Sequence, residues 1–297
     1  MLQNIRTDLA LEARQLWQEG AAEGDAPEGV ETAEEQRGSF LVSRVKIQNE
    51  QGEKALCKPK GDYITITLDG LLRREENAFA DAARLLADEL RKILALKESD
   101  AVLVAGLGNR GITPDAIGPG AVEATIVTRH LKEHLPRDFA AFRSVAAVEP
   151  GVLGTTGVES ADMIRALTER VRPNCVIAVD ALAARSLDRL CRTVQIADTG
   201  IVPGSGVDNA RAALSKDTLG VPVIAVGVPT VVDAATLARD VAGDGCAENL
   251  PADTARMMVT PRDIDSRVKD ISRLVGYALN LALHDGLTIE DVDMLLS

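Results

Sequence analysis

The 297-residue chain is 46% hydrophobic and 26% charged, which supplies a large core and excludes a disordered, collagenous or coiled-coil protein. Its 33 Lys and Arg stand against 45 Asp and Glu, a net charge of −12 at pH 7; such a field repels nucleic acid and anionic membranes, so neither is expected as a partner. Aromatic residues are 2% of the chain, too few for a base-stacking platform or a carbohydrate-binding face.

The chain opens on a short amphipathic pattern (Leu9, Leu11, Leu16, Trp17) followed by residues 20–37, rich in Glu, Ala and Gly. Residues 1–37 therefore read as an N-terminal segment with a mobile acidic linker. Alternating stretches over 40–72, broken at residues 49–52, predict a β-hairpin or meander appended to the main domain. Apolar residues at helical spacing predict a helix over 75–96. Beyond it, apolar runs at 101–106, 142–148, 175–180, 193–198 and 221–229 read as strands. Helical stretches at 114–134, 160–171 and 261–283 lie among and after them, with Asp263 and Asp265 in the first turn of the last. Continuous apolar strands alternating with helices predict an α/β fold, a mostly parallel sheet with helices on both faces, spanning 38–297 as one domain. No basic-then-apolar leader and no run of about 20 apolar residues is present, which predicts a cytoplasmic protein. Cys57, Cys175, Cys191 and Cys246 show no CxxC spacing and are expected as reduced thiols.

Ligands in open parallel sheets collect outside the carboxyl ends of the strands. The run at 101–106 leads into Gly106-Leu107-Gly108-Asn109-Arg110-Gly111, then Thr113-Pro114-Asp115. Thr113 as N-cap and Pro114 at N1 would place Asp115 in a first helical turn, its carboxylate held ionised by the helix dipole. Asp180 follows the apolar strand 175–179. Each of these aspartates alone either caps a helix or works in the crevice; together they form a pair suited to sharing a proton and polarising a water. Asn109 or a backbone N–H of the glycine loop, Gly108 included, is the candidate for stabilising an oxyanion. Asp198 ends the run 193–198 and is a further candidate for the oxyanion or substrate loop, although the plainer reading of its Asp-Thr-Gly triplet is a turn. The GxGxxG form at 106–111 lacks the acidic residue expected about 20 positions on, so no dinucleotide cofactor is expected. His130 and His134 share a helix face without a clear third ligand, and nothing ties Ser205 to Lys216 as a dyad.

Several longer strings carry a resemblance: IRTDLA at 5–10, GLGN at 106–109, TPDAIGP at 113–119, PGVLGTTGVE at 150–159, IAVDALAAR at 177–185, QIADTGIVPGSGV at 195–207 and LSKDTLGVPVIAVGVPTVVDA at 214–234. They resemble the germination proteases of spore-forming bacteria. The resemblance implies an endopeptidase that degrades small acid-soluble spore proteins in the spore core during germination. It also implies a homotetramer made as a zymogen that processes itself, here between Asp8 and Leu9. The family is classed as atypical aspartic proteases, and its catalytic aspartates fall on Asp115 and Asp180. A more distant likeness to hydrogenase maturation proteases, whose equivalent acids bind metal, leaves a metal-assisted route as an alternative to a cofactor-free pair. A non-catalytic nucleotide-binding protein using the glycine loop is the other alternative. The stretch 242–257 is shorter than in family members, and Val202 stands where relatives often have histidine.

Overall fold

Helix α1 (Ala10–Gly20) lays Ala10, Leu11 and Ala13 on the sheet beside Val45, Tyr63 and Ala225. This computed structural model describes residues 7–21, 26–205, 211–243, 251–255 and 257–297; Cys246 lies outside them, and the other three cysteines are free thiols. The acidic stretch does not run as a linker up to residue 37. Strand β1 (Val30–Arg37) pairs along its whole length with β2 (Phe40–Ile47), through a two-residue turn in which Gly38 has φ +62°. The side chains of β1 are almost all exposed, so no apolar alternation marks it; the ladder to β2 makes it a strand, and its charges suit a sheet edge.

Helix α2 (Glu50–Leu56), where a tight turn was expected, joins β2 to β3 (Gly61–Thr67), with Asn49 accepting the Gly52 N–H as its cap. Helix α3 (Ala78–Leu94) follows, then β4 (Val102–Gly106). The helix expected over 114–134 is broken into a 3-10 turn at Thr113–Asp115, α4 (Ile117–Glu123) and α5 (Arg129–His134). The gap is stable because Asn280 meets its backbone, accepting from Ile126 N–H and donating to the Ala124 carbonyl at 2.8 and 2.9 Å. Besides single-turn helices, the remaining elements are β5 (Val145–Val148), α6 (Ser160–Val171), β6 (Cys175–Ala184), β7 (Thr193–Ala197), β8 (Val223–Asp233), α7 (Ala234–Ala242), β9 (Met258–Val259), α8 (Ile264–Leu283) and α9 (Ile289–Leu296).

These strands form one nine-stranded sheet in the order β1-β2-β3-β7-β8-β6-β4-β5, with β9 paired to β8. Strands β8, β6, β4 and β5 are parallel, the α/β core that the sequence predicts. The meander β1-β2-β3 is not an appendage: β3 pairs with β7, and β7 pairs antiparallel with β8, so it extends the same sheet. Helices α3, α4 and α8 cover one face in the largest apolar cluster, while α6 and α1 cover the other. No helix among the described residues is long and apolar enough to cross a membrane.

One buried base sets an acid limit on stability. His284, just past α8, is 2% exposed and packs edge-on against Phe142; burial, helped by the Arg143 and Lys132 cations, pushes its pKa from 6.5 down to about 4. The folded chain therefore resists a proton that the unfolded chain accepts, so stability present above pH 6.5 is lost as pH falls towards 4, by about 3 kcal/mol. A His284→Leu chain should lose that much less between those pH values in urea titrations. Parallel losses in both chains would show that His284 is not responsible.

Candidate active site

Strand β4 ends at Gly106, opposite Val179, and the chain leaves the sheet with Leu107 N–H still bonded to the Val179 carbonyl at 2.8 Å. Strand β6 continues to Ala184, so Asp180 does not end its strand; it stands in mid-strand where its neighbour departs. The 107–115 loop then folds back. Gly108 has φ +108°, and a Cβ there would come within 2.0 Å of the Asp115 carbonyl oxygen, an approach only glycine permits.

Asp115 lies in the 3-10 turn, and its carboxylate accepts the Asn109 N–H at 2.8 Å. The Thr230 hydroxyl donates to the Pro114 carbonyl at 2.7 Å and ties this turn to β8. Asn109 therefore holds Asp115 through its backbone, while its side-chain oxygen accepts from Gly111 N–H. The helix dipole does not keep Asp115 at a low pKa; burial raises it, and the Asn109 N–H offsets that only in part. Asp180 is 5% exposed, and burial first, then the Asp115 charge, drive its pKa well above the ordinary carboxylate range against the Ala181 N–H. Burial thus disfavours charge on both carboxyls, and the Asp115 charge disfavours it further on Asp180.

Both carboxylates line a cleft of about 370 Å³ that also includes Gly108, Leu182, Thr230 and Asp8. Asp8 is held on every polar side. Its N–H donates to the Ala183 carbonyl at 2.9 Å, and its carboxylate accepts from Ala183 N–H and the Ser205 hydroxyl, both at 2.8 Å. Its carbonyl accepts from Gln195 Nε2 at 3.2 Å, and the amide oxygen of Gln195 accepts from Ala10 N–H at 2.8 Å. Lys58 donates to the Thr7 carbonyl at 3.1 Å, its pKa lowered by burial against the opposing pull of Asp8 and Glu12. Leu9 is fully buried among Leu182, Ala184, Leu190 and Val232, and the Glu12 carboxylate accepts from Arg185 and Ser186 N–H at 2.7 and 3.0 Å.

The structure thus brings Asp8, Gly108, Asp115 and Asp180 together. Asp198 stands apart: β7 runs antiparallel to β8, so its far end points away from the pair, and the exposed Asp198 accepts from Asp62 N–H at 2.8 Å as a turn residue. Ser205 is engaged with Asp8 rather than with Lys216. Gln195 was not singled out by spacing, although a primary amide inside the apolar strand Thr193–Ala197 is a readable signal. Among the described residues no three His, Cys, Asp or Glu side chains cluster as a metal site.

The sequence model of the germination proteases matches residues 10–243. The chain belongs to the germination protease family. A germination protease of Caldanaerobacter subterraneus subsp. tengcongensis is 44% identical, covering 98% of both chains; one of Clostridium tetani is 40% identical over 99% of this chain and 100% of its own. Among solved structures, a NiFe hydrogenase maturation protease from Thermococcus kodakarensis KOD1 is similar with a TM-score of 0.37 and 18% identity, over 64% of this chain and 98% of that one. The chain is thus a protease of the germination type.

Proposed function

We infer that this chain is a self-processing zymogen of the spore core that degrades small acid-soluble spore proteins as a homotetramer, with Asp115 and Asp180 activating the attacking water. The observation that carries this reading is the placement of Asp8, first residue of the expected Asp8–Leu9 cut, in the same cleft as the two carboxylates. Asp115, the less strongly raised of the two, takes the proton of the water. Asp180, which keeps its own proton longer, gives it to the leaving Leu9 nitrogen. The Asp8 carboxylate, read by Ala183 and Ser205, supports an acidic residue before the cut in other substrates.

The test incubates the full chain, and its Asp115→Asn form, with a small acid-soluble spore protein, with and without chelator. The parent should yield a new Leu9 terminus and spore-protein fragments ending in acidic residues, and the variant should be slower by about 10³-fold. Cleavage should survive the chelator. Loss of cleavage on chelation would favour a metal-assisted route, and cleavage by Asp115→Asn at the parent rate would remove the aspartate pair.

A further inference from the structure

Strand register places three residues in one row across the sheet. Asp180 of β6 pairs with Gly227 of β8, and Gly227 pairs with Gln195 of β7. Residues paired across neighbouring strands present their side chains to the same face, and two strand spacings put Asp180 and Gln195 about 10 Å apart at the backbone. The middle position is a glycine, and the Leu182 side chain fills the space over it, 2.3 Å from where a Cβ would stand; Gln195 therefore lines, with Asp8, the cavity on the other side of Leu182 from the carboxylates. The apolar neighbours agree on the face: Ala178, two residues before Asp180, and Ala197, two after Gln195, belong to the clusters under α6 and α1, not to the large cluster opposite. The peptide between Asp8 and Leu9 meets this face with Gln195 on its carbonyl, while Asp8 also lines the cleft that holds Asp115 and Asp180.

The orientation of the Gln195 amide is determined by its partners. Ala10 N–H is a donor and can only meet the amide oxygen, which leaves the two N–H groups of Nε2 for the Asp8 carbonyl. Gln195 is 7% exposed, so this hydrogen bond is made away from bulk water, where a donor aimed at developing charge is worth most. One side chain thus grips both sides of the Asp8–Leu9 bond: the carbonyl before it, and the N–H one residue beyond it.

We propose that Gln195 is a catalytic residue, the donor that stabilises the oxyanion when the Asp8 carbonyl, which it holds from the adjoining cavity, is attacked. The proposal rests on the reading of Asp8–Leu9 as a bond that is cut. In the step it describes, water oxygen bonds to the Asp8 carbonyl carbon as its proton passes to Asp115. The carbonyl electron pair moves to oxygen, which takes the hydrogen bond from Gln195 Nε2. On collapse the carbon–nitrogen bond breaks, and the Leu9 nitrogen takes a proton from Asp180, leaving a carboxyl on Asp8 and an amine on Leu9. The role considered for Asn109 from its loop position passes to Gln195, since the Asn109 side chain is turned to Gly111.

Self-cleavage of the full chain is a single turnover of a segment already docked, so its rate reports chemistry rather than encounter. The appearance of the Leu9 terminus would be timed by mass spectrometry in the parent, Gln195→Glu, Gln195→Met and Asp115→Asn chains. Amide exchange of residues 9–16 would be followed in each while uncut. Gln195→Glu keeps an oxygen for Ala10 N–H and removes the donor; Gln195→Met conserves volume and removes both functions. Both should cut about 10²–10³-fold more slowly, with the segment still protected in at least one of them. A rate within threefold of the parent overturns the proposal. So does slow cutting accompanied by loss of protection in both variants, because Gln195 would then only dock the segment. Failure of the underlying reading shows separately: Asp115→Asn cutting at the parent rate removes the aspartate pair while leaving Gln195 in place, and a parent that never yields Leu9 overturns both.

Discussion

Asp180→Asn should lower self-cleavage and spore-protein cleavage by about 10³-fold while leaving the melting temperature unchanged or higher. The two halves of this expectation share one cause. Asp180 is nearly fully buried and feels the charge of Asp115, and both effects favour the protonated form of its carboxyl. Asparagine has the same shape and no charge, and its oxygen can still accept from Ala181 N–H, but it has no proton to give to a leaving amine. The folded state holds the Asp180 proton more tightly than the unfolded chain does. Its contribution to stability is therefore present at low pH and lost as pH rises through the raised pKa of the folded state. The variant escapes that loss, and its advantage in melting temperature should widen towards alkaline pH. Cleavage within tenfold of the parent would sink the assignment. A melting temperature several degrees lower would mean that Asp180 supports the fold, and that the lost activity carries no catalytic message.

Much of this site was legible because the signals were strong and local. The apolar run 175–179 followed by one aspartate, and the glycine loop before Asp115, both mark the end of β4 and its neighbour on β6, and the structure brings those two carboxylates into one cleft. What failed to show depends on pairing between distant segments. Strand β1 has polar side chains on both faces, and only its register with β2 makes it a strand. The direction of β7 cannot be read from five apolar-rich residues, yet it removes Asp198 from the cleft and turns Gln195 towards Asp8. The expected helix over 114–134 was an error of the same kind: the periodicity was continuous, but Asn280, more than 150 residues away, satisfies the backbone where the helix breaks. The raised pKa of Asp115 likewise follows from burial, which helix-cap spacing does not report.

Gly118→Ala should damage both stability and cleavage through a single added methyl group. Gly118 is the second residue of α4, packed on the point where β4 leaves β6. A Cβ there would stand 2.3 Å from the Leu107 carbonyl oxygen, 2.4 Å from Leu107 N and 2.5 Å from the Val179 carbonyl oxygen. All three atoms are backbone, and Leu107 N–H and the Val179 carbonyl are bonded to each other, so no side chain can move aside. The helix must lift, taking with it the Thr113–Asp115 turn that precedes it and separating Asp115 from Asp180, whose backbone follows Val179 directly. Overpacking against immobile backbone costs about 3 kcal/mol, which lowers the melting temperature by roughly 5 °C in a chain of this size. A displacement of about 1 Å between catalytic groups costs about 10²-fold in rate, so cleavage should fall even below the melting transition. Gly154→Ala is the control, because a Cβ at that position meets nothing within 4 Å and should leave both readouts unchanged. If Gly118→Ala melts within about 2 °C of the parent and still cleaves, the α4 helix does not set the spacing of the two aspartates, and the Thr230 bond to Pro114 becomes the element to test in its place.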